Sequence, residues 1–316
     1  MTVGIAIALY NGARFVEAQL DTLRLQTCPP DQVVFCDDGS KDDTVAIVQS
    51  YIEKHSLQDR WQLHINEENL GYAKNFYRAM SLCHTDLIYP CDQDDLWKSD
   101  KLEKMNAIMA SHPEIALLLC KGGVIDAEGG ALHGLLIEES KETGALTAIS
   151  PTDILRSLSW TGMLMCVRKD FLRNWEKTLY PVKAPHDFAL ALCASDSHAF
   201  YTYDYIGAFH RRHDNNTANE EHRIGKMLNL KNKLRDMGMY TLYLEQLAQA
   251  ALPLSETTLS MLAHRLEKAR AREQALRQRQ AGKLIKVYLS DRSGLLRPVS
   301  FLADLWLLIF GDYSQL

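Results

Sequence analysis

The sequence predicts an α/β protein: a mostly parallel, Rossmann-like sheet flanked by helices, followed by a helical C-terminal extension. Two observations carry this. The first 120 residues alternate short apolar runs with amphipathic stretches, the mark of repeated strand–helix units and of a sheet covered on both faces. From about residue 220 the runs give way to long helical patterns rich in Arg and Lys. The chain has 316 residues, 47% hydrophobic and 24% charged, enough for a full core without disulfide or metal staples and far from any disordered or collagenous composition.

Taken in order, Val3–Leu9, Gln32–Cys36, Trp61–Ile65, Asp86–Cys91 and Ile115–Cys120 read as strands. Helical patterns lie between and after them near 13–26, 42–54, 72–83 and 98–110. Beyond them, Gly122-Gly123 and Gly129-Gly130 predict turns, Pro151 opens a helical pattern, and Gly162–Val167 reads as another strand. Alternating aromatics over 198–210 suit one or two further strands, and 222–250 and 254–282 predict long helices. There is no internal repeat.

Seven cysteines, at 28, 36, 83, 91, 120, 166 and 193, form no C-x-x-C pair and predict small core residues of a reducing compartment. Met1–Tyr10 has neither a basic n-region nor a cleavage site, and no run reaches 18 uninterrupted apolar residues. The expectation is a cytoplasmic protein without a signal peptide or spanning helix. The net charge of −5 divides unevenly: Lys and Arg against Asp and Glu number 20 against 31 over residues 1–220, but 15 against 9 over 221–316. An acidic head is a poor nucleic-acid binder, and a basic tail suits an anionic surface.

In a parallel sheet the binding crevice lies beyond the carboxyl ends of the strands, so the polar residues after each run matter most. One run ends in Asp37-Asp38-Gly39-Ser40, where a carboxylate can accept hydrogen bonds from a base or ribose; the competing reading is turn chemistry with a helix cap from Ser40 to Asp43. Another ends in Asp92-Gln93-Asp94-Asp95, three mutually repelling carboxylates within four positions. Asp92 and Asp94, two apart on an extended segment, point the same way, and a hard divalent cation such as Mg²⁺ or Mn²⁺ that also holds phosphates relieves the repulsion. A capped turn before the next helix is the alternative.

Together with Ala8-Leu9-Tyr10-Asn11 and Asn69-Leu70-Gly71, these segments resemble, in order and approximate spacing, the family-2 glycosyltransferases of the GT-A fold, including bacterial rhamnosyltransferase-like members. The resemblance covers about residues 3–215. It implies a glycosyltransferase domain over 1–220, with a nucleotide-sugar half (about 1–120) and an acceptor half (about 121–220); the basic, helical extension over 221–316 is read as membrane-associating from its charge. The resemblance further implies that Ala8, Leu9, Tyr10 and Asp38 hold the base, Asp37 lies near the ribose, Asn69 belongs to the donor side, Asp92 approaches the ribose or donor sugar, and Asp94 binds Mn²⁺ or Mg²⁺. Asp95 either orients this element or caps the following helix.

In Ala184-Pro185-His186-Asp187-Phe188 a carboxylate sits at the head of a helical run, where the helix dipole favours its ionised form. A plain helix cap is the alternative; the resemblance implies that Asp187 is the general base of an inverting transfer. Phe209-His210-Arg211-Arg212-His213 resembles a family segment whose basic groups neutralise the leaving diphosphate, with His213 also a metal ligand; an ordinary basic loop is the other reading. Trp160-Thr161-Gly162 resembles the acceptor wall, although an aromatic here equally suits the core. Asn215-Asn216-Thr217 matches a glycosylation acceptor and reads as coincidence.

The expected reaction moves a sugar from a nucleoside-diphosphate donor, by analogy dTDP-rhamnose, to a saccharide or polyprenyl-linked acceptor in surface polysaccharide synthesis. Residues 262–297 hold ten basic against three acidic residues, and in the following 295–310 stretch, interrupted by Pro298 and Asp304, the final apolar run is too short to span a bilayer, which suits attachment to the inner membrane face. A lid or dimer contact is the alternative. Another nucleotide-dependent transferase, or a non-catalytic nucleotide-sugar binder, are the competing functions. The single glycine of Tyr10-Asn11-Gly12-Ala13 disfavours the first, and Asp94 with Asp187 disfavours the second.

Overall fold

The computed structural model describes residues 1–130, 142–156, 161–213, 229–291, 296 and 298–313. These form two compact units, the first comprising Met1–Ile149, Trp160–Pro181 and Pro185–His213, the second Ser150–Ser159, Val182–Ala184 and Asp214–Leu316.

The first unit is built on a nine-stranded sheet of order β3-β2-β1-β4-β8-β6-β9-β5, with β7 pairing β9 at the side. The strands are β1 (Val3–Leu9), β2 (Gln32–Asp37), β3 (Trp61–Ile65), β4 (Leu87–Cys91), β5 (Leu96–Trp97), β6 (Leu117–Ile125), β7 (Leu146–Ala148), β8 (Met165–Arg168) and β9 (Phe200–Arg211). Six of them run in one direction and β5, β7 and β8 run against them. The helices are α1 (Val16–Arg24), α2 (Thr44–Lys54), α3 (Tyr72–Leu82), α4 (Lys101–Ser111), α6 (Lys169–Leu179) and α7 (His186–Asp196); α5 (Pro151–Arg156) lies in the second unit.

The near-continuous apolar run of β1 reflects burial on both faces, with Ile5, Ile7 and Leu9 wholly covered. Each such side chain contributes about 1.5–3 kcal/mol of burial. The helices obey the 3.6 period: α1 buries Val16, Leu20 and Leu23, and α3 buries Ala73, Phe76, Tyr77 and Met80. Helix α7 is buried on nearly every side, as its continuous Phe188–Ala194 apolar run requires. Pro90 is tolerated in β4 because β8 pairs only with Leu87 and Ile88, leaving Pro90 with β1 alone as neighbour.

Two sequence expectations are corrected. Gly122-Gly123 is strand rather than turn: β6 continues through Ile125 with register shifts around Lys121, and Leu164 lies where a Gly122 side chain would stand. Residues 162–167 are not all strand, since a 3₁₀ turn over Gly162–Leu164, closed by Leu164 N–H to Thr161 O at 3.1 Å, precedes β8. The seven cysteines are free thiols, six of them buried.

The strand order places β2 and β3 on one side of β1 and β4 on the other. The chain therefore reverses direction of growth between β1 and β4, which opens a crevice at their carboxyl ends.

In the second unit, α8 (Leu230–Gln249), α9 (Glu256–Arg277), α10 (Ala281–Leu289) and α11 (Pro298–Phe310) enclose a cluster of Leu230, Leu234, Met237, Ala275, Leu276, Leu284, Leu307 and Leu308. Asp304, fully buried, accepts from Arg272 Nε and Nη2 at 2.5 and 2.9 Å and from Tyr288 Oη at 3.0 Å. The long helices expected over 222–250 and 254–282 are α8 and α9; residues 222–228, the expected 220/221 boundary and Asn215-Asn216-Thr217 lie outside the described residues. Among the described residues no helix is long and apolar enough to cross a membrane.

Candidate active site

The crevice begins with two interlocked loops. After β1, Asn11 takes a left-handed backbone (φ 50°) and turns its side chain onto the neighbouring loop, accepting from Lys41 N at 2.7 Å. Asn11 N donates to Ser40 Oγ at 2.9 Å, Gly12 N to Thr44 Oγ1 at 2.8 Å, and Ala13 N to Asp42 Oδ2 at 3.0 Å. Ala8 is half-buried, Leu9 is buried, and the Tyr10 ring stands half exposed beside them.

Asp37 and Asp38 lie at this loop, but their carboxylates face inward. Asp37 accepts from Gly39 N, Ser40 N and Ser40 Oγ at 3.1, 2.9 and 2.5 Å. Asp38 accepts from Asn66 Nδ2, Leu70 N and Gly71 N at 2.8, 2.8 and 2.9 Å. Asn69 donates to Asp38 O and receives Gly71 N. In the chain as it stands both carboxylates, expected at the base and near the ribose, are nearly wholly buried and taken up by the chain's own donors. The Ser40–Asp43 cap is also absent, because Asp42, not Ser40, accepts from Thr44 N.

Opposite, at the end of β4, lie Asp92, Gln93, Asp94 and Asp95. Gln93 clasps the backbone of Tyr10, its Oε1 accepting from Tyr10 N and its Nε2 donating to Tyr10 O, both at 2.9 Å. Gly12 is required here, since a side chain would run into the Gln93 amide. Asp95 is fully buried, and its Oδ1 receives His210 Nδ1 at 2.9 Å and Arg211 N at 3.0 Å. It therefore orients the acidic element, while α4 begins only at Lys101.

Arg211, expected beside the diphosphate, braces the acidic element. Its buried guanidinium lies over the Phe15 ring and donates to the carbonyls of Asp94 and Ala127 at 2.9 and 2.8 Å. Arg212 is half-buried, with its amide on Ile125 O. His213 stacks on Phe15 with ring centroids 4.4 Å apart, and its Nε2 lies 2.8 Å from Asp94 Oδ2.

Burial raises the carboxyl of Asp92 well above the usual range, and the charges of Asp95 and Asp94 push it further. Asp94 is raised by burial and by Asp95, against the pull of His213. Burial alone would lower His210, but the bond and charge of Asp95, with Asp92 and Asp94, hold its imidazole at about 9. Crowded carboxylates with raised affinity for positive charge fit a hard divalent cation. Asp94 and His213, 2.8 Å apart, supply a carboxylate and an imidazole of the kind such an ion takes. Among the described residues no group of three or more His, Cys, Asp or Glu side chains is placed to hold an ion.

Asp187 opens α7, close enough to Asp92 for their charges to interact. Its Oδ1 accepts from Phe188 N at 2.7 Å and its Oδ2 from Gly162 N at 3.2 Å. The expectation that the helix terminus keeps it ionised is corrected: burial outweighs these two amides and lifts the carboxyl to about 7. Next to it, His186 is buried against Phe76, ring centroids 4.1 Å apart, and burial lowers it to about 3, so it is neutral. A Cβ on Gly162 would approach His186 Nε2 to 2.5 Å. Gly162 is thus buried, with its amide on Asp187; Thr161 is half-buried, and Trp160 lies outside the described residues.

Sequence reasoning missed Gln93 and His210. An amide between two aspartates carries no chemical signal of its own, and His210 was overshadowed by the Arg-Arg-His run that follows.

Comparison with known proteins agrees with this geometry. The family described as glycosyl transferase family 2 matches residues 4–153, which include Tyr10–Ala13, Asp37–Ser40, Asn69 and Asp92–Asp95 and end before Asp187 and His213. Chondroitin synthase of Escherichia coli is 28% identical over 130 residues, 41% of this chain and 18% of that protein. The poly(ribitol-phosphate) β-N-acetylglucosaminyltransferase TarS of Staphylococcus aureus is 27% identical over 164 residues, 50% of this chain and 28% of that protein. The amylovoran biosynthesis glycosyltransferase AmsE of Erwinia amylovora is 27% identical over 121 residues, 36% of this chain and 42% of that protein. The chain therefore spans less than half the length of these relatives.

Among solved structures, TarS in complex with UDP-GlcNAc superposes with a TM-score of 0.59 at 17% identity, over 98% of this chain and 89% of that one. The mannosyltransferase PcManGT of Pyrobaculum calidifontis, in complex with GDP-Man and Mn²⁺, gives 0.52 at 18% identity, over 98% and 87%. At these identities the likeness is one of fold. Residues 4–153, which hold β1–β4 and the acidic element, are thus similar to the family-2 glycosyltransferases, and the sheet has the fold of the solved GT-A glycosyltransferases.

Proposed function

We propose that the protein is an inverting glycosyltransferase that moves a sugar from a nucleoside-diphosphate donor to a hydroxyl of a saccharide or polyprenyl-linked saccharide in polysaccharide synthesis. The observation that carries this reading is the meeting, in one crevice, of the Asp92–Asp95 element with Asp187, a carboxyl held near neutrality by burial. TarS and PcManGT in complex with nucleotide sugars support the donor class.

The donor lies across the Tyr10–Ala13 loop, which the backbone contacts of Gln93, Ser40 and Thr44 hold in shape. Asp37, Asp38 and Asn69 act by fixing the neighbouring wall. Asp92 reaches the ribose or sugar, and Asp94 with His213 would hold Mn²⁺ or Mg²⁺. When bound, that cation supplies neutralising charge to the diphosphate. Arg212 adds positive charge on the same side.

Asp187 takes the proton of the acceptor hydroxyl as the acceptor oxygen bonds the anomeric carbon. The carbon–phosphate-oxygen bond breaks with its electron pair passing to the nucleoside diphosphate, and the configuration inverts. A base near pKa 7 is ionised in useful fraction at neutral pH and still binds a proton strongly enough to assist, an effect worth about 10²–10⁴ in rate. The dTDP-rhamnose donor belongs to this proposal beside UDP-sugars, as does a cytoplasmic location at the inner membrane face. Nucleotide release from UDP-, GDP- and dTDP-sugars, with and without lipid-linked acceptor extract, tests it. Release from none of them by folded protein, with every acceptor, would overturn it.

A further inference from the structure

Helix α11 has its polarity inverted. Its one charged residue, Asp304, points into the helical unit and is clamped by Arg272 and Tyr288. Its inward face also carries Ala303, Leu307 and Leu308. The outward face is Val299, Leu302, Trp306, Ile309 and Phe310, spaced three or four apart along one stripe, and Leu302, Ile309 and Phe310 are each more than 60% exposed. A helix in water shows the opposite pattern.

The preceding helix extends the surface. Ile285 and Leu289 of α10 are exposed, Leu289 by 80%, and between and beside them stand exposed Lys283 and Lys286, which make no ion pair among the described residues. At the far end of α11, Arg279 donates to Leu308 O at 3.3 Å, so a third cation borders Ile309 and Phe310. The outward faces of both helices carry no acidic side chain.

We infer that the outward faces of α10 and α11 form a surface that inserts into an anionic lipid leaflet. Apolar side chains with a border of lysine and arginine match the acyl boundary and the anionic headgroups above it, and α11, at 13 residues, is long enough to lie in the interface and too short to cross it. The Asp304–Arg272 pair pins the helix flat against its own unit, so that only the outward stripe is offered to lipid. The inference deepens the membrane-peripheral location proposed above by naming the surface.

The test is co-sedimentation of the full chain with vesicles of phosphatidylcholine plus phosphatidylglycerol, against phosphatidylcholine alone. Wild type should partition onto the anionic vesicles. Leu302→Glu with Ile309→Glu should lower partition at least about tenfold with the melting temperature unchanged, both sites being exposed. Lys283→Ala with Lys286→Ala should lower it on anionic vesicles by about fivefold per lysine and leave phosphatidylcholine binding unaltered. If the glutamate pair lowers the melting temperature, Leu302→Ser with Ile309→Ser takes its place.

Unchanged partition of these variants would overturn the inference. So would wild type that ignores vesicles and runs as a dimer which the variants convert to monomer, since the stripe would then belong to a second copy. Transfer to a water-soluble acceptor should be the same in wild type and variants, which separates failure of this surface from failure of the transferase reading.

Discussion

The side chain of Gln93 pairs with the backbone of Tyr10 as a neighbouring strand would, accepting its N–H and donating to its carbonyl at 2.9 Å each. This ties the end of β4, and with it the acidic element, to the loop after β1 across the crevice. Two isolated loops would each fluctuate; joined, they hold the two walls of the crevice at a fixed distance.

Replacing Gln93 should therefore weaken donor binding without unfolding the protein. Gln93→Ala removes two hydrogen bonds at a partly exposed site, each worth about 0.5–1.5 kcal/mol, and should raise the donor Kd by roughly 5- to 50-fold in calorimetry. Gln93→Glu should be worse, since it sets a carboxylate against the Tyr10 carbonyl. Unaltered affinity in both variants would sever Gln93 from the site.

The pH dependence follows from Asp187. Its carboxyl titrates at about 7 in the folded protein against 3.8 ordinarily, so kcat/KM should fall as pH drops through 7 and the base takes up its proton. The stability sign is the reverse of the usual aspartate. The folded state binds this proton more tightly than the unfolded chain, so the contribution is complete below about pH 4 and is lost as pH rises through 7. Asp187→Asn should be more stable than wild type by about 1–3 kcal/mol at pH 8 and nearly equal to it at pH 4, as read by denaturant titration.

The metal assignment separates Asp94 and His213 from Arg211. Asp94→Ala and His213→Ala should each lower Mn²⁺-dependent donor binding by about 10–100-fold, with melting temperatures close to wild type. Arg211→Ala should instead destabilise the fold by about 2–4 kcal/mol, because it strips buried carbonyls of their charged donor. If Arg211→Ala left stability intact and abolished diphosphate binding alone, its role as a brace would be wrong.

Gly162 should accept no side chain. Gly162→Ala drives a methyl group against the His186 ring, which Phe76 holds in place, and should cost about 1–3 kcal/mol. It should also shift the pH midpoint of kcat, since the amide that steadies Asp187 moves with it. The double variant Gly162→Ala with His186→Ala should recover part of the stability.

Much of this was legible in the sequence. The strand–helix alternation over residues 3–111 follows from periods of two and 3.6, and the strand ends marked the crevice because parallel sheets bind ligands there. The direction of side chains was less legible. Asp37 is taken up by its own turn at Gly39 and Ser40, but Asp38 looks like a ligand in one dimension, and only folding brings Asn66, Leu70 and Gly71 to its oxygens. Arg211 and His213 are two residues apart and differ in role because the chain leaves β9 between them. Gly122-Gly123 read as a turn because the close packing of Leu164 against Gly122 in β6 is a long-range contact. The ionisation of Asp187 was misread because its position at a helix terminus is local, whereas its burial is not.

The central claim is that Asp187 takes the acceptor proton in an inverting transfer. The most direct measurement is single-turnover transfer by wild type and Asp187→Asn, with the donor identified from the nucleotide-sugar panel, a divalent cation and a saturating acceptor, reading both rate and anomeric configuration of the product. The account predicts an inverted product, a rate about 10²–10⁴-fold lower in the variant, and a donor Kd within about threefold of wild type. A product of retained configuration, or an Asp187→Asn variant that transfers at the wild-type rate, would contradict it.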